Sequence, residues 1–401
     1  MLSESHIEKR SNKRPGAYIN GRFNDESIPF WALLKIKLLN GKLGLENTVL
    51  QFFTWLLYKK PGNPQKILVF RTGSLGDSIN AIPALQAIRD TYPNAQIDIL
   101  TNAGLKNLVG MPYLIQRDLY NEMVDYFGMP KFQLFKMLRA RNYDMVIQLP
   151  QANAIFRNLM RDLIIFRFIA KQGIGWFTSH TFKFKKTQAK YILYINEHER
   201  LLNFLRKHNF VINNLTPTLT PSDADIKFVK EQLLKQDVPA ERKKIAVVVG
   251  AKRPQNRWPV ENFKTVIEKF SATTNILLIG SAEDQLLAQP LLQLPGVYSF
   301  CGILTPMQSA ALFSLCDLTL SNDTGPMHMS YAVHTLTIAL FSARDLPGKW
   351  YPPSENNVVF RAKNIDCKAC NDDSNYDNVC MTTIRPEEVI RAIDSFLNKK
   401  C

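Results

Sequence analysis

The sequence has no run of about 18 or more apolar residues, so no transmembrane helix is expected. Its first residues, MLSESHIEKRSNKRPG, lack an apolar core and do not read as a secretory signal. Cysteine is scarce, with six in 401 residues, which excludes a disulfide scaffold and makes a reducing, cytoplasmic setting the expectation. Acidic residues are outnumbered, 35 Asp and Glu against 50 Lys and Arg, for a formal net charge of +15. That balance favours anionic partners: headgroups, phosphorylated glycolipids, nucleotides or nucleic acid. An apolar content of 46% with 21% charged residues excludes a disordered chain. The length suffices for two or three domains. Also missing are the lysine of a phosphate-binding P-loop and the glycine spacing of a dinucleotide fingerprint.

What is present centres on Ser321 to Leu340, SNDTGPMHMSYAVHTLTIAL. An apolar run, Leu315–Leu320, leads into the polar turn Ser321–Pro326. A helical pattern follows over Met327–Ala332, and then a β-branched run, Thr335–Phe341. Strand, turn, helix and strand in this order predict a βαβ unit. Helix N-termini leave backbone N–H groups unpaired and partially positive, so such a turn suits anionic oxygens. Asp323 and Thr324 are short side chains able to cap; Gly325 admits a ligand close to the backbone; Pro326 fits a first helical turn. His328 would sit in that turn beside the same site. Simple helix capping is the plainer alternative.

Two further loops follow strand patterns. Lys66–Phe70 (KILVF) reads as a buried strand, Arg71–Asp77 (RTGSLGD) as a glycine-containing loop, and Ser78–Tyr92 as a helix, with Ile97–Leu100 the next strand. The loop sets Asp77 near a helix start, as a cap or as a reactive carboxylate. Ile245–Val249 (IAVVV) reads as a buried strand ending in Gly250–Pro259, which carries Lys252, Arg253 and Arg257 ahead of a helix over Val260–Phe270. Three cations after a strand are what a departing diphosphate needs when no metal serves it; a solvated basic loop is the alternative. After the strand Ile276–Ile279, Glu283 is placed to accept from ribose hydroxyls or to serve as a helix-start acid. Leu215–Ser222 is a proline-punctuated linker.

Asn-Asp-Thr-Gly-Pro-Met-His at 322–328, followed by a small-residue helix and an apolar strand, resembles the sugar-nucleotide motif of glycosyltransferase family 9, the heptosyltransferases of lipopolysaccharide core assembly. The resemblance continues in Arg-x-x-x-Leu-Gly-Asp at 71–77, in Tyr143–Leu149, and in Gly250, Ala251, Arg257, Trp258, Pro259, Glu261 and Phe263. Gln148 stands where the family usually has an acid. The resemblance covers about residues 64 to 397. It implies two doubly wound, Rossmann-like α/β domains facing a cleft, the GT-B type: residues 64–222 for the acceptor, and residues 223–401 for the nucleotide-sugar, with the final helix crossing back. It implies an inverting, metal-independent transfer of a sugar from an ADP-linked donor to a hydroxyl of an anionic glycolipid. Asp77 is then the general base. Lys252, Arg253, Arg257, Glu283, Asp323, Thr324, Gly325 and His328 hold the donor. Ser74, Gly76, Arg157 and Arg161 are acceptor-side candidates, and His198-Glu199 matches a pair that the family often has. A sugar-nucleotide epimerase or hydrolase on the same plan, and a non-catalytic nucleotide-sugar-binding protein, are the alternatives.

Residues 1–63 form a basic, aromatic extension. Its helical part, with Trp31, Leu34, Ile36, Leu38 and Leu39 among lysines and an apolar Val49–Tyr58, fits either an arm packed on the protein or a helix lying at the inner membrane surface. Cys367, Cys370 and Cys380 are one ligand short of a structural zinc, which Asp366 or Asp377 could complete; structural thiols are the plainer reading, and no metal is expected. The basic aromatic run Phe182–Lys186 lacks the supporting module of a nucleic-acid binder, and no nucleic-acid partner is expected.

Overall fold

The computed structural model describes residues 21–23, 28–102, 110–151, 154–178, 192–353, 357–361 and 379–398. Cys367, Cys370 and the Phe182–Lys186 run lie outside the described residues. The chain divides into two compact units between Pro217 and Thr218, inside the proline-punctuated linker.

In the first unit, β1 (Gly21–Phe23) pairs antiparallel with β7 (Ile192–Tyr194). Helix α1 (Phe30–Leu57) is continuous over 28 residues. There follow β2 (Lys66–Phe70), α2 (Leu75–Thr91), β3 (Gln96–Thr101), β4 (Glu122–Asp125), α3 (Lys131–Ala140), β5 (Met145–Gln148), α4 (Phe156–Arg167), β6 (Gln172–Ile174) and, after β7, α5 (Glu197–Arg206). Strands β4-β3-β2-β5-β6 form one parallel sheet in that order. Strands covered on both faces read as continuous apolar runs rather than alternating ones. Ile67, Leu68 and Val69 are accordingly all buried. Leu68, Leu100 and Val146 share a core with Leu159, Leu163 and Phe166 of α4 and with Leu50 and Tyr58 at the end of the extension. Helices α2 and α5 pack together.

Helix α2 begins at Leu75, three residues before the start that apolar periodicity predicts. The physical reason is capping: the Asp77 carboxylate accepts from the Ser74 N–H and Oγ, both at 3.0 Å. Asp77 therefore lies in the first helical turn and not in a free loop.

The second unit runs α6 (Asp223–Lys235), β8 (Lys244–Val248), α7 (Val260–Phe270), β9 (Asn275–Leu278), α8 (Gln285–Ala288), β10 (Val297–Ser299), α9 (Pro306–Ser314), β11 (Leu318–Asn322), α10 (Gly325–Ala332), β12 (Thr337–Phe341), β13 (Val358–Arg361), α11 (Val379–Thr382) and α12 (Pro386–Leu397). Its sheet is again parallel, ordered β10-β9-β8-β11-β12-β13. The final helix, expected to cross back to the first domain, buries Val389, Ala392 and Ile393 in its own unit's core with Trp258, Phe263 and Val266.

In both sheets the strand order reverses beside one central strand, between β2 and β5 and between β8 and β11. A crevice opens beyond the carboxyl ends of the strands at such a point, because the flanking connections leave toward opposite faces. The loops picked out from sequence follow β2, β8 and β11, so all three emerge at these two reversals.

Trp258 ties the second core together. It is buried, its Nε1–H donates to the Ile384 carbonyl at 3.0 Å, and its ring meets Phe263 edge-on. Trp258→Ala should cost about 3–5 kcal/mol, the range for truncating a buried aromatic. A melting temperature unchanged by this variant in differential scanning calorimetry would contradict the packing role.

Candidate active site

At the first reversal, Arg71 leaves β2 and turns inward. Its side chain is 1% exposed. Nη1 donates to the Pro150 carbonyl at 3.0 Å, and Nη2 donates to Glu197 Oε1 at 3.0 Å. Arg200 clamps the same acid, Nε to Oε2 at 2.8 Å and Nη2 to Oε1 at 2.7 Å, and also donates to Pro150 O. Buried charges persist only when paired and hydrogen-bonded. Here two arginines surround one glutamate, and Asp77 Oδ1, 3.7 Å from Arg71 Nη2, brings the charge of the group to zero. Gln151 also donates to Thr72, so the loops after β2 and β5 are laced together.

Asp77 thus has two different oxygens. Oδ2 caps α2 through Ser74, and Oδ1 faces Arg71 on a side chain that is 30% exposed. The capping reading of this residue is seen, and it uses one oxygen of the two. Gly73 makes the turn possible: its φ is +149°, and a Cβ there would sit 2.3 Å from that of Asp77. Gly76 is buried in the first turn of α2, where its carbonyl accepts from Asn80 Nδ2 at 2.8 Å. Arg157 is exposed in the first turn of α4, which follows β5; one turn on, Arg161 binds the adjacent Asp162 at 2.7 Å. The sequence reading pointed to His198 and Glu199, but the buried acid is Glu197. Its spacing of three from Arg200 on an amphipathic helix was the available signal.

At the second reversal, three loops are joined by two asparagines. Asn322 Nδ2 donates to Val249 O at 2.9 Å, while its Oδ1 accepts from Trp258 N at 3.0 Å. Asn256 Nδ2 donates to the Asp323 carbonyl at 3.2 Å and to Asp323 Oδ2 at 3.3 Å, and its Oδ1 accepts from Ser342 Oγ at 2.7 Å. The capping expected of Asp323 and Thr324 does not occur. Thr324 is the N-cap residue of α10 but makes no side-chain cap hydrogen bond, and Asp323 is engaged by Asn256. Gly325 opens the helix, and His328 is buried within it, its Nδ1 2.8 Å from Tyr331 Oη. Burial pushes the His328 imidazole down to about 3, so it is neutral at physiological pH.

The charges of Arg361, Lys349 and Arg344 act on Asp323, as does that of a second acid, Asp345. Lys349 and Arg361 are buried; Arg361 Nη2 donates to Asp345 O at 2.8 Å, and Lys349 Nζ lies 4.5 Å over the Trp350 ring. Burial, helped by Asp345, pushes the Asp323 carboxyl up to about 8 against the pull of the three cations. Across the loop after β8, Lys252 and Arg253 are exposed, while Arg257 donates through Nε to Ala251 O at 2.8 Å. Glu283 is exposed; its neighbour Asp284 is the residue that caps the turn, accepting from Ser281 N and Oγ at 2.8 Å beneath Gly250 and Gly280. The arrangement suits an anion: a helix N-terminus without a side-chain cap, next to a residue on which three cations act.

No cluster of three or more metal-ligating side chains occurs among the described residues. Cys380 is buried, its Sγ 3.3 Å from Ala343 N.

Residues 131–379, more than half of the chain, match the profile of glycosyltransferase family 9 (heptosyltransferase). The chain belongs to glycosyltransferase family 9. It is therefore an enzyme of the glycosyltransferase class. Similar proteins include the lipopolysaccharide heptosyltransferase 3 of Escherichia coli, 26% identical over 357 residues, covering 80% of this chain and 96% of that one. The lipopolysaccharide heptosyltransferase 1 of Campylobacter coli is 21% identical over 352 residues, covering 82% and 98%. Among solved structures, the E. coli ADP-heptose heptosyltransferase II aligns with a TM-score of 0.62 at 20% identity, covering 83% of this chain and 98% of that one. A family 9 glycosyltransferase from Veillonella parvula aligns at 0.66 and 20%, covering 86% and 100%.

Two outcomes test this geometry of the family 9 enzyme. Glu197→Ala leaves Arg71 and Arg200 buried without their shared acid and should cost about 3–5 kcal/mol; a variant as stable as the parent would show that the cluster is dispensable. For Asp323 the folded-state value lies above the ordinary 3.8. The folded protein therefore holds a proton that the unfolded chain releases, and stability is lost as pH rises from about 4 to about 8. The melting temperature of the parent relative to the Asp323→Asn variant should decline across that window and level off above it.

Proposed function

We infer that this enzyme transfers a heptose-like sugar from an ADP-linked donor to a hydroxyl of a lipopolysaccharide-type, anionic glycolipid, with inversion and without a metal, at the cytoplasmic face of the inner membrane. The observation that carries the donor half is the start of α10. Thr324 makes no side-chain cap there, and the charges of Arg361, Lys349 and Arg344 act on the preceding Asp323, a setting that suits a diphosphate. Supporting the choice of donor, the similar E. coli heptosyltransferase II is an ADP-heptose enzyme, and the E. coli enzyme WaaC was solved with ADP-2-deoxy-2-fluoro heptose.

In this reading, Asp77 Oδ1 takes the proton of the acceptor hydroxyl as its oxygen attacks the anomeric carbon. The bond from that carbon to the diphosphate oxygen breaks, and ADP leaves with the bonding pair. Lys252, Arg253 and Arg257, together with the α10 N-terminus, stabilise the charge that develops on it. Neutral His328 and the carboxyl of Asp323 supply hydrogen bonds without adding charge. Glu283 binds the ribose. Ser74, Gly76, Arg157 and Arg161 serve the acceptor, the arginines meeting its phosphates.

The test is transfer from ADP-heptose to a lipopolysaccharide core acceptor, with and without a chelator. Asp77→Asn keeps an oxygen to cap α2, so it should fold, bind ADP as the parent does, and lose about 10²–10⁴-fold in kcat. Full activity in that variant would remove Asp77 as the base. No stabilisation by ADP in the absence of magnesium would remove the metal-free donor site.

A further inference from the structure

Helix α1 has two apolar faces, and the fold uses one. Ala32, Ile36, Leu39, Leu43 and Leu50 are buried at spacings of three and four. Asn47, on the same face, exchanges hydrogen bonds with the Thr178 backbone at 2.7 and 2.8 Å. Of the two readings of the extension, the packed arm holds for this face. On the opposite side, Trp31, Leu38, Leu45 and Phe52 recur every seven residues and are 71%, 63%, 68% and 53% exposed. Seven residues are nearly two helical turns, so these side chains form one outward stripe. Leu56 continues it, Trp55 lies beside its end, and Phe30 stands at its start, all exposed. From Trp31 to Leu56 the stripe is about 37 Å long at 1.5 Å per residue. Helix α4 adjoins the same end, where Arg167 Nε donates to Leu57 O at 2.6 Å.

The charges around the stripe are mainly positive, with Lys42 paired to Glu46 at 3.6 Å. Helical spacing puts Lys35 and Lys42 along one side of it and Lys37 on the other, with Lys59 and Lys60 following the helix. Glu46 is the only acid in α1.

We propose that this face of α1 docks on an anionic lipid surface, with the helix lying in the plane of the interface, the stripe at the boundary between headgroups and acyl chains, and the lysines on lipid phosphates. Aromatic rings at both ends of the stripe suit that boundary, where one edge of a side chain is apolar and the other wet. Spanning is a different matter: no described helix is long and apolar enough to cross a membrane, and one face of α1 is held by the protein. A second copy is a poorer occupant despite the seven-residue period of a coiled-coil seam. Pairing two stripes would bring three lysines of each helix together with one glutamate apiece to answer them. Residues 1–25 are polar and basic and carry no matching apolar stripe. The purpose of docking, holding the enzyme where a glycolipid acceptor resides, rests on the function proposed above; lipid binding itself does not.

The full chain is sedimented with vesicles of phosphatidylcholine, with and without phosphatidylglycerol, at low and raised salt. Binding is expected to the anionic vesicles, weakened by salt, and to fall at least about tenfold in a Trp31→Gln/Leu38→Gln/Phe52→Gln variant whose melting temperature is unchanged. Lys35→Glu/Lys42→Glu should weaken binding to the anionic vesicles. Parent protein that ignores both vesicle types, or a triple variant that binds as the parent does, overturns the proposal. So does light scattering that finds a dimer in the parent and a monomer in the triple variant. ADP-induced stabilisation, measured in the same samples, reports on the donor site separately.

Discussion

Parallel strand pairing is the constraint on which the rest of this protein depends. A parallel ladder cannot be closed by a hairpin, so each strand needs a crossover, and the crossovers cover both faces of the sheet. That burial demands continuous apolar strands such as KILVF and IAVVV, and it confines the polar loops to the strand ends. Where the crossovers change direction, beside β2 and β8, the loops part. Arg71–Asp77 and Asn322–His328 emerge at these two places. The chemistry-bearing residues are collected there by topology, although they come from distant stretches of chain.

Gathering polar groups at a sheet edge creates a solvation problem, and the two units solve it differently. The first builds a nearly neutral cluster in which Glu197 answers Arg71 and Arg200, and Asp77 completes the balance while capping a helix. Such a cluster fixes geometry more than it adds stability, because desolvation offsets much of the ionic attraction. The second sets a carboxyl that burial keeps protonated near neutrality under the influence of Arg361, Lys349 and Arg344. Asn256 and Asn322 hold the loops with uncharged hydrogen bonds and do not cancel that field.

Helix α1 shows the same economy of surface. Its 3.6-residue repeat presents one apolar face to α4 and the parallel sheet's core, and a slower seven-residue drift carries a second apolar series along the outside. The sequence leaves arm and interfacial helix open because composition counts apolar residues without saying which side of the helix each occupies.

The sequence by itself determined the elements and the family. Strand and helix patterns around residues 66–100, 245–280 and 315–341 are local, and Asp-Thr-Gly-Pro-Met-His and Arg-x-x-x-Leu-Gly-Asp are short enough to read directly. Local reading failed where contacts join distant residues. It stopped at His198 and Glu199 because nothing nearby reveals that Glu197 meets Arg71, 126 positions away. It let Asp323 and Thr324 cap a helix because Asn256 is 67 positions off. It passed over Arg344, Lys349 and Arg361 as a group, whose shared feature is the carboxyl their charges act on. Tertiary structure alone decided which charges are buried, which oxygen of Asp77 stays open, and which face of α1 remains uncovered, since burial and pairing are properties of neighbours in space.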